Sequence, residues 1–188
     1  MNDERNRVCP VELSDSLDSK LRRWLQNPTK IVSPYVKDGY RALDVGCGPG
    51  FFTIEMAKLV GKSGKVIAAD LQQGMLDKLK AKIEGTELEE RITLVKCDKG
   101  RINVDQKVDF ILTFYMVHEV PDKAGLFRQL NQALTEEGKY LLVEPKLFHV
   151  SAAEFQATLK IAEDNGFHVQ DGPKLALSWS ALLQKKSP

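Results

Sequence analysis

The segment Arg41-Ala42-Leu43-Asp44-Val45-Gly46-Cys47-Gly48-Pro49-Gly50-Phe51-Phe52 constrains the fold of this chain more than any other. A short apolar run interrupted only by Asp44 reads as a buried strand. Glycines follow at alternate positions, and Phe51 to Val60 then carries the apolar periodicity of a helix. Strand, glycine loop and helix form the first crossover of a nucleotide-binding sheet, because glycine lets the backbone turn sharply and lets a ligand approach the main chain. The spacing narrows the choice of ligand. A dinucleotide fingerprint G-x-G-x-x-G/A counted from Gly46 and Gly48 meets Phe51 at its third small position. A phosphate loop ending in Gly61-Lys62-Ser63 would need glycine where Met56 stands. Both phosphate readings are weak.

The rest of the chain continues the alternation of strand and helix. Lys65 to Asp70 reads as a second buried strand ending in an acid, one βαβ unit beyond the glycines. A carboxylate there can accept two hydrogen bonds from a ribose diol. Gln73 to Ile83 reads as a helix stopped by Gly85, and Ile92 to Asp98 as a third strand that again ends in an acid. Lys107 to Phe114 is the fourth strand. After Pro121-Asp122 comes a helix with Leu126, Leu130 and Leu134 on one face, with Gly138 as its stop ahead of a fifth strand to Pro145. Ser151 can cap a helix over 152–164 that Gly166 ends. Phe167 to Gln170 and Leu175 to Leu183 read as sixth and seventh strands, the last antiparallel. Ahead of all this, Leu17, Leu21, Trp24 and Leu25 have helical spacing over 14–26. Asn27-Pro28 should interrupt that helix, and Thr29 to Val36 offers a second, short one bent near Pro34.

An acid-x-Gly-x-Gly-x-Gly loop after an apolar strand, with acids at two further strand ends, resembles the class I S-adenosylmethionine-dependent methyltransferases. The resemblance covers about Arg41 to the end of the chain. It implies a three-layer α/β Rossmann-like sandwich with a seven-stranded, mostly parallel sheet in the order 3-2-1-4-5-7-6. It also implies two parts, an N-terminal helical segment (1–40) over the cofactor and acceptor cleft, for which packing on one edge of the sheet is an equal alternative, and a methyltransferase domain (41–188). In the family, Gly46, Cys47, Gly48 and Gly50 would cradle the cofactor, and Asp70 would hold the ribose. Leu71 and Met75 would pack on ribose and adenine, Asp98 would accept from the adenine amine, and the Lys99 amide would reach a ring nitrogen. Phe114, at the end of the fourth strand, would face the methyl group, and Tyr115 to Glu119 with residues after Glu144 would wall the acceptor pocket. Asp44, a carboxylate inside an apolar run, should touch the cofactor's amino end, directly or through loop amides and water. His118-Glu119-Val120-Pro121-Asp122 is close to the His-x-x-Pro-Asp that opens the family's next helix, most like the ubiquinone and menaquinone biosynthesis type.

Methyl transfer from a sulfonium is an in-line displacement, so alignment and exclusion of water lower the barrier and a base is needed only if the acceptor must lose a proton. His118 is the first candidate for that base by type, with Glu119 and Glu144 next. A hydrogen-bonding role for His118 at the helix entry is an equal alternative. The acceptor atom is open among carbon, oxygen, nitrogen, sulfur and arsenic.

Composition excludes several other classes. The chain has 188 residues, a net charge of +1 and 28% charged residues, which gives no field for nucleic acid or anionic membrane. The Asn/Asp-Pro-Pro-aromatic tetrad of amino-directed nucleic-acid methyltransferases is missing, so a small-molecule acceptor is expected. Cys9, Cys47 and Cys97 lack C-x-x-C spacing and read as free thiols of a reducing compartment, which with a polar N-terminus gives a cytoplasmic expectation. No metal is expected, and the chain should act as a monomer or homodimer. Two other functions compete: a non-catalytic S-adenosylmethionine-binding or partner-binding module on the same fold, and an NAD-dependent oxidoreductase, which Phe51 disfavours.

Overall fold

Seven strands form one sheet in the order β3-β2-β1-β4-β5-β7-β6. The computed structural model describes residues 26–146 and 150–186, so the helix expected over 14–26 lies outside the described residues, apart from Gln26 itself. In chain order the elements are α1 (Pro28–Val32), β1 (Arg41–Val45), α2 (Thr53–Leu59), β2 (Lys65–Asp70), α3 (Gln73–Ile83), β3 (Ile92–Lys96) and β4 (Val108–Phe114). A single 3₁₀ turn (Val117–Glu119) follows, then α4 (Lys123–Ala133), β5 (Leu134–Pro145), α5 (Ala152–Asp164), β6 (Phe167–Asp171) and β7 (Ser178–Lys185). Strands β1 to β5 pair in parallel, and β7 runs antiparallel between β5 and β6. The strand order and the antiparallel last strand are those implied by the resemblance.

Alternation along the strands builds two cores. Leu43, Val45, Ile67, Ala69, Ile111, Tyr140 and Leu142 face one side, where they meet Leu126, Phe127 and Leu130 of α4 and Phe155 and Ala162 of α5. Ala42, Val66, Ala68, Phe110, Leu112, Leu141 and Val143 face the other, against Ile31 and Val32 of α1, Met56 and Ala57 of α2, and Leu76, Leu79 and Ile83 of α3. A strand buried on both faces reads as a continuous apolar run, as these do. Each fully buried Leu or Phe contributes about 1.5–3 kcal/mol, so both layers of helices are tied to the sheet by many such residues.

Caps set several helix starts. The Asn27 side chain accepts from the Lys30 amide with Pro28 in the first turn, so Asn27-Pro28 opens a helix rather than only interrupting one. That helix is five residues long and gives way to turns before Pro34. Ser151 and Glu154 form a reciprocal capping box at α5. Two local expectations are corrected. Leu134 is not on a helix face: α4 ends at Ala133, and Leu134 has extended backbone (φ −68°, ψ 142°) and pairs with Val108 at the head of β5. Gly138 is not a helix stop but lies within β5, where the register jumps from the Val108–Leu134 pair to the Phe110–Lys139 pair. The helix ends because the chain joins the sheet, a tertiary event that a glycine count misplaces by four to five residues.

Candidate functional site

The parallel register aligns the carboxyl ends of β1, β2, β3 and β4 along one edge: Val45 lies beside Ala69 and Thr113, and Asp70 beside Lys96. The strand order reverses direction at β1, so the loops after β1 and β4 diverge and leave a crevice. A cavity of about 530 Å³ occupies it. Its wall includes Asp44, Gly46, Cys47, Gly48, Asp70, Leu71, Met75, Asp98, Lys99 and Phe114. One edge of the sheet thus brings together ten of the eleven residues assigned to the cofactor from sequence.

The eleventh, Gly50, has another task. Its φ is +90°, and a Cβ there would come within 2.3 Å of Leu79 Cδ1, so glycine lets the loop close onto α3. Gly48 is the opposite case. Its φ is +53°, and a Cβ built on it meets nothing within 4 Å, because it would project into open space beside a residue of the cavity wall. Its amide donates to Asp70 Oδ2 at 2.9 Å, while the Gln72 amide donates to Asp70 Oδ1 at 2.8 Å. Each carboxylate oxygen of Asp70 keeps acceptor capacity after these bonds. Burial raises the Asp70 pKa, and the amides of Gln72 and Gly48 work against that rise.

Asp44 is 2% exposed and lines the cavity. Burial pushes its carboxyl up to about 7, with the Asp70 charge adding to the rise and a hydrogen bond from Thr53 opposing it. That bond runs from Thr53 Oγ1 to Asp44 Oδ2 at 2.6 Å. Sequence reasoning passed over Thr53, although a hydroxyl in the first turn of the helix after the glycine loop was a usable signal. Burial also raises the pKa of both Cys47 and Cys97, so these thiols stay protonated.

The three candidate bases separate. Glu119 lines the cavity, whereas His118 and Glu144 are not among its lining residues. Glu144 is 2% exposed and accepts from the amides of Val117 (3.0 Å) and His118 (3.1 Å), and it also bonds His118 Nδ1 at 2.7 Å. Burial alone would lower the His118 pKa. Its hydrogen bond to Glu144 and the charges of Glu144 and Glu119 outweigh that and leave it raised. The pair anchors the loop after β4 to the end of β5.

The far wall of the cavity is apolar and aromatic. Phe52, Phe114 and Tyr115 are in contact in series, with centroids 4.4 Å apart at each step, and Met116, Val120 and Leu126 continue the wall. Tyr115 has φ +62°, a left-handed backbone that bulky residues rarely take. Its hydroxyl accepts from Gln26 Nε2 at 2.6 Å and lies 2.6 Å from Ser178 Oγ. Gln129 of α4 also reaches the wall. Of the segment Tyr115 to Glu119 expected to wall the acceptor pocket, Tyr115, Met116 and Glu119 reach the cavity, whereas nothing in the spacing pointed to Gln129, which acts through partners distant in sequence.

Comparison with known proteins agrees with this architecture. A family described as a methyltransferase domain matches residues 36–185. The chain belongs to the class I S-adenosylmethionine-dependent methyltransferase family. A demethylmenaquinone methyltransferase of Lactobacillus johnsonii is 37% identical over 110 residues, which is 58% of this chain and 45% of that protein. One from Bacillus cereus is 28% identical over 124 residues, 65% of this chain and 51% of that protein. The chain therefore spans about half the length of the curated relatives it matches. Among solved structures, a methyltransferase of Aquifex aeolicus superposes with a TM-score of 0.82 at 24% identity, covering 94% of this chain and 98% of the other, a likeness of fold.

The residues present fit the family's cofactor, S-adenosylmethionine. The donor set is an acid at the end of each of β1 and β2 and one just past β3, and Gly48 leaves the space a Cβ would fill. Among the described residues, no helix is long and apolar enough to cross a membrane.

Proposed function

We propose that this chain transfers a methyl group from S-adenosylmethionine to a small, apolar, ring-bearing acceptor. One observation carries the reading: a single cavity joins the glycine loop and three strand-end carboxylates to an aromatic wall formed by Phe52, Phe114 and Tyr115. The cofactor supplies a methyl group on a positively charged sulfur. The protein's work is then binding, alignment and exclusion of water. Asp70 accepts from the ribose hydroxyls, Asp98 from the adenine amine, and the Lys99 amide reaches a ring nitrogen. Leu71, Met75 and Phe114 supply apolar surface, and Met suits an aromatic face. Asp44, held by Thr53, faces the amino end and is favoured in its ionised form by a nearby ammonium.

On the acceptor side the aromatic wall offers flat apolar area and keeps water from the reacting carbon. Glu119, the candidate base on the cavity wall, is placed to take a proton at its carboxylate if the acceptor gives one up. His118 and Glu144 act one step back by fixing the loop that carries Glu119. The 1–40 segment covers this side, a reading supported by the bond from Gln26 to Tyr115. The names of the two relatives favour a hydroquinone-like acceptor. The +1 charge agrees with a small molecule rather than nucleic acid, and the free thiols of Cys47 and Cys97 agree with the reducing cytoplasm, where the chain would act as a monomer or homodimer. The test is transfer of labelled methyl from S-adenosylmethionine to short-chain naphthohydroquinones. Label in the ring product with S-adenosylhomocysteine released supports the proposal. Cofactor binding without transfer to any member of a broad acceptor panel overturns the catalytic reading and leaves a binding module.

A further inference from the structure

The loop after β3 is braced from two sides. Asp98 and Arg101 exchange both backbone hydrogen bonds, at 2.9 and 3.1 Å, which closes a tight turn around Lys99 and Gly100. On one side of the turn stands Asn103, whose amide nitrogen donates to the Lys96 carbonyl and to Asp98 Oδ2, both at 2.9 Å. On the other side Gln129 of α4 accepts from the Ile102 amide at 3.0 Å and donates to the Gly100 carbonyl at 2.8 Å. Asp98 lines the cavity, and Asn103 is not among the lining residues. Asn103 has φ +56°, a left-handed backbone that Asn tolerates better than most residues because its short polar side chain bonds locally. Both amide protons of Asn103 are thereby used, so its side chain is fixed from the strand on one end and from the carboxylate on the other.

We propose that Asn103 is a positioning residue for base specificity: it holds one oxygen of Asp98 and so aims the other at an exocyclic amino group of the bound purine. The inference rests on reading the cavity as an S-adenosylmethionine site. An ionised carboxylate only accepts, so a correctly aimed Asp98 welcomes an amino group and repels the oxo group that replaces it in a hypoxanthine base. Asp98 is exposed, and a carboxylate swinging freely in water would spread over rotamers and discriminate poorly. The Asn103 amide removes that freedom before ligand arrives, which is the general route by which preorganisation raises affinity. Gln129 holds the same turn through its backbone and supports the position of Asp98 without touching its carboxylate.

The experiment compares S-adenosylhomocysteine with S-inosylhomocysteine by calorimetric titration of the wild type, Asn103→Gly and Asn103→Asp. Glycine accepts the left-handed backbone, so Asn103→Gly removes the amide without straining the fold. Asn103→Asp keeps the shape, removes the donor and sets a second carboxylate against Asp98 Oδ2, so it should push that side chain off its aim. The wild type is expected to prefer the adenine ligand by about tenfold or more, the worth of one hydrogen bond to a charged group. Asn103→Gly should lose affinity for S-adenosylhomocysteine by about fivefold, bind S-inosylhomocysteine as before and keep a cooperative melting transition, and Asn103→Asp should lose at least as much affinity for S-adenosylhomocysteine. Equal losses for the two ligands would reduce Asn103 to a loop brace and overturn the inference. So would variants that keep the wild-type ratio. A wild type that binds neither ligand would overturn the cofactor reading itself, and the inference with it.

Discussion

The two halves of the sheet edge are built in different ways. At the ends of β1 to β3 the functional groups are held mainly by near neighbours: Asp44 by Thr53 nine residues on, Asp70 by the Gln72 amide two residues on and by the Gly48 amide of the adjoining loop, and Asp98 by Asn103. At the ends of β4, β5 and β7 the contacts are long-range: Tyr115 with Ser178, Tyr115 with Gln26, and Glu144 with His118. The first half is a set of short motifs that one ligand can join. The second is a frame assembled by tertiary folding, around an aromatic wall whose occupant has few charges to meet. A cofactor of fixed structure can be met by fixed local motifs, whereas an acceptor pocket is shaped by what closes over it.

The largest effect should come from the local half. Gly48→Val places a branched side chain at φ +53° in the space kept for ligand. It should weaken S-adenosylhomocysteine by on the order of a hundredfold or more, about 3 kcal/mol, while the melting transition stays cooperative. Normal affinity in a folded Gly48→Val protein would break the comparison at its strongest point. Next comes Asp70→Ala, which removes a charged acceptor of two backbone amides and, in the proposed function, of the ribose diol. Roughly 1.5–3 kcal/mol of binding should be lost, read by calorimetry. An unchanged dissociation constant would remove Asp70 from the site.

Asp44 gives a pH dependence whose sign follows from its raised pKa. In the unfolded chain the carboxyl ionises near its ordinary value of 3.8, and in the fold at about 7. Between these values the folded protein holds a proton the unfolded one has lost, so this group lowers stability as pH rises toward 7, with no further change above. Binding runs the other way, because an ammonium partner needs the carboxylate. Affinity for S-adenosylhomocysteine should climb by up to about tenfold per pH unit below 7 and level off above it. Thr53→Val removes the hydrogen bond that opposes the rise and should move that midpoint upward. A flat profile from pH 5.5 to 8 would detach Asp44 from the ligand.

The smallest effect on cofactor binding should come from the long-range half. Tyr115→Phe keeps the ring but cuts the bonds to Gln26 and Ser178. It should cost about 1–2 kcal/mol in denaturant unfolding and leave S-adenosylhomocysteine affinity within about twofold. A large loss of cofactor affinity would blur the division between the halves.

The same division explains what could be read from the residues. Asp44, Asp70 and Asp98 stood out because an acid at the end of an apolar strand is unusual in itself, and a parallel sheet places all such ends on one edge. The strand order was supplied by resemblance, since periodicity is silent on which strands pair. Tyr115 was legible as part of the pocket wall but not its bond to Ser178, and Gln129 left no trace, because a glutamine on a helix is ordinary until folding brings Ile102 to it. Leu134 was assigned to a helix for a related reason: its apolar spacing continues that of Leu126 and Leu130, and only the pairing with Val108 shows that the chain has entered the sheet.

The most direct test of the account is amide hydrogen exchange with and without S-adenosylhomocysteine. The account expects protection on binding at residues 46–50, at Leu71 and Gln72, and at Asp98 to Ile102, with much smaller change in β6 and β7. Protection centred on β6 and β7, or no protection at the glycine loop while ligand is bound, would contradict it.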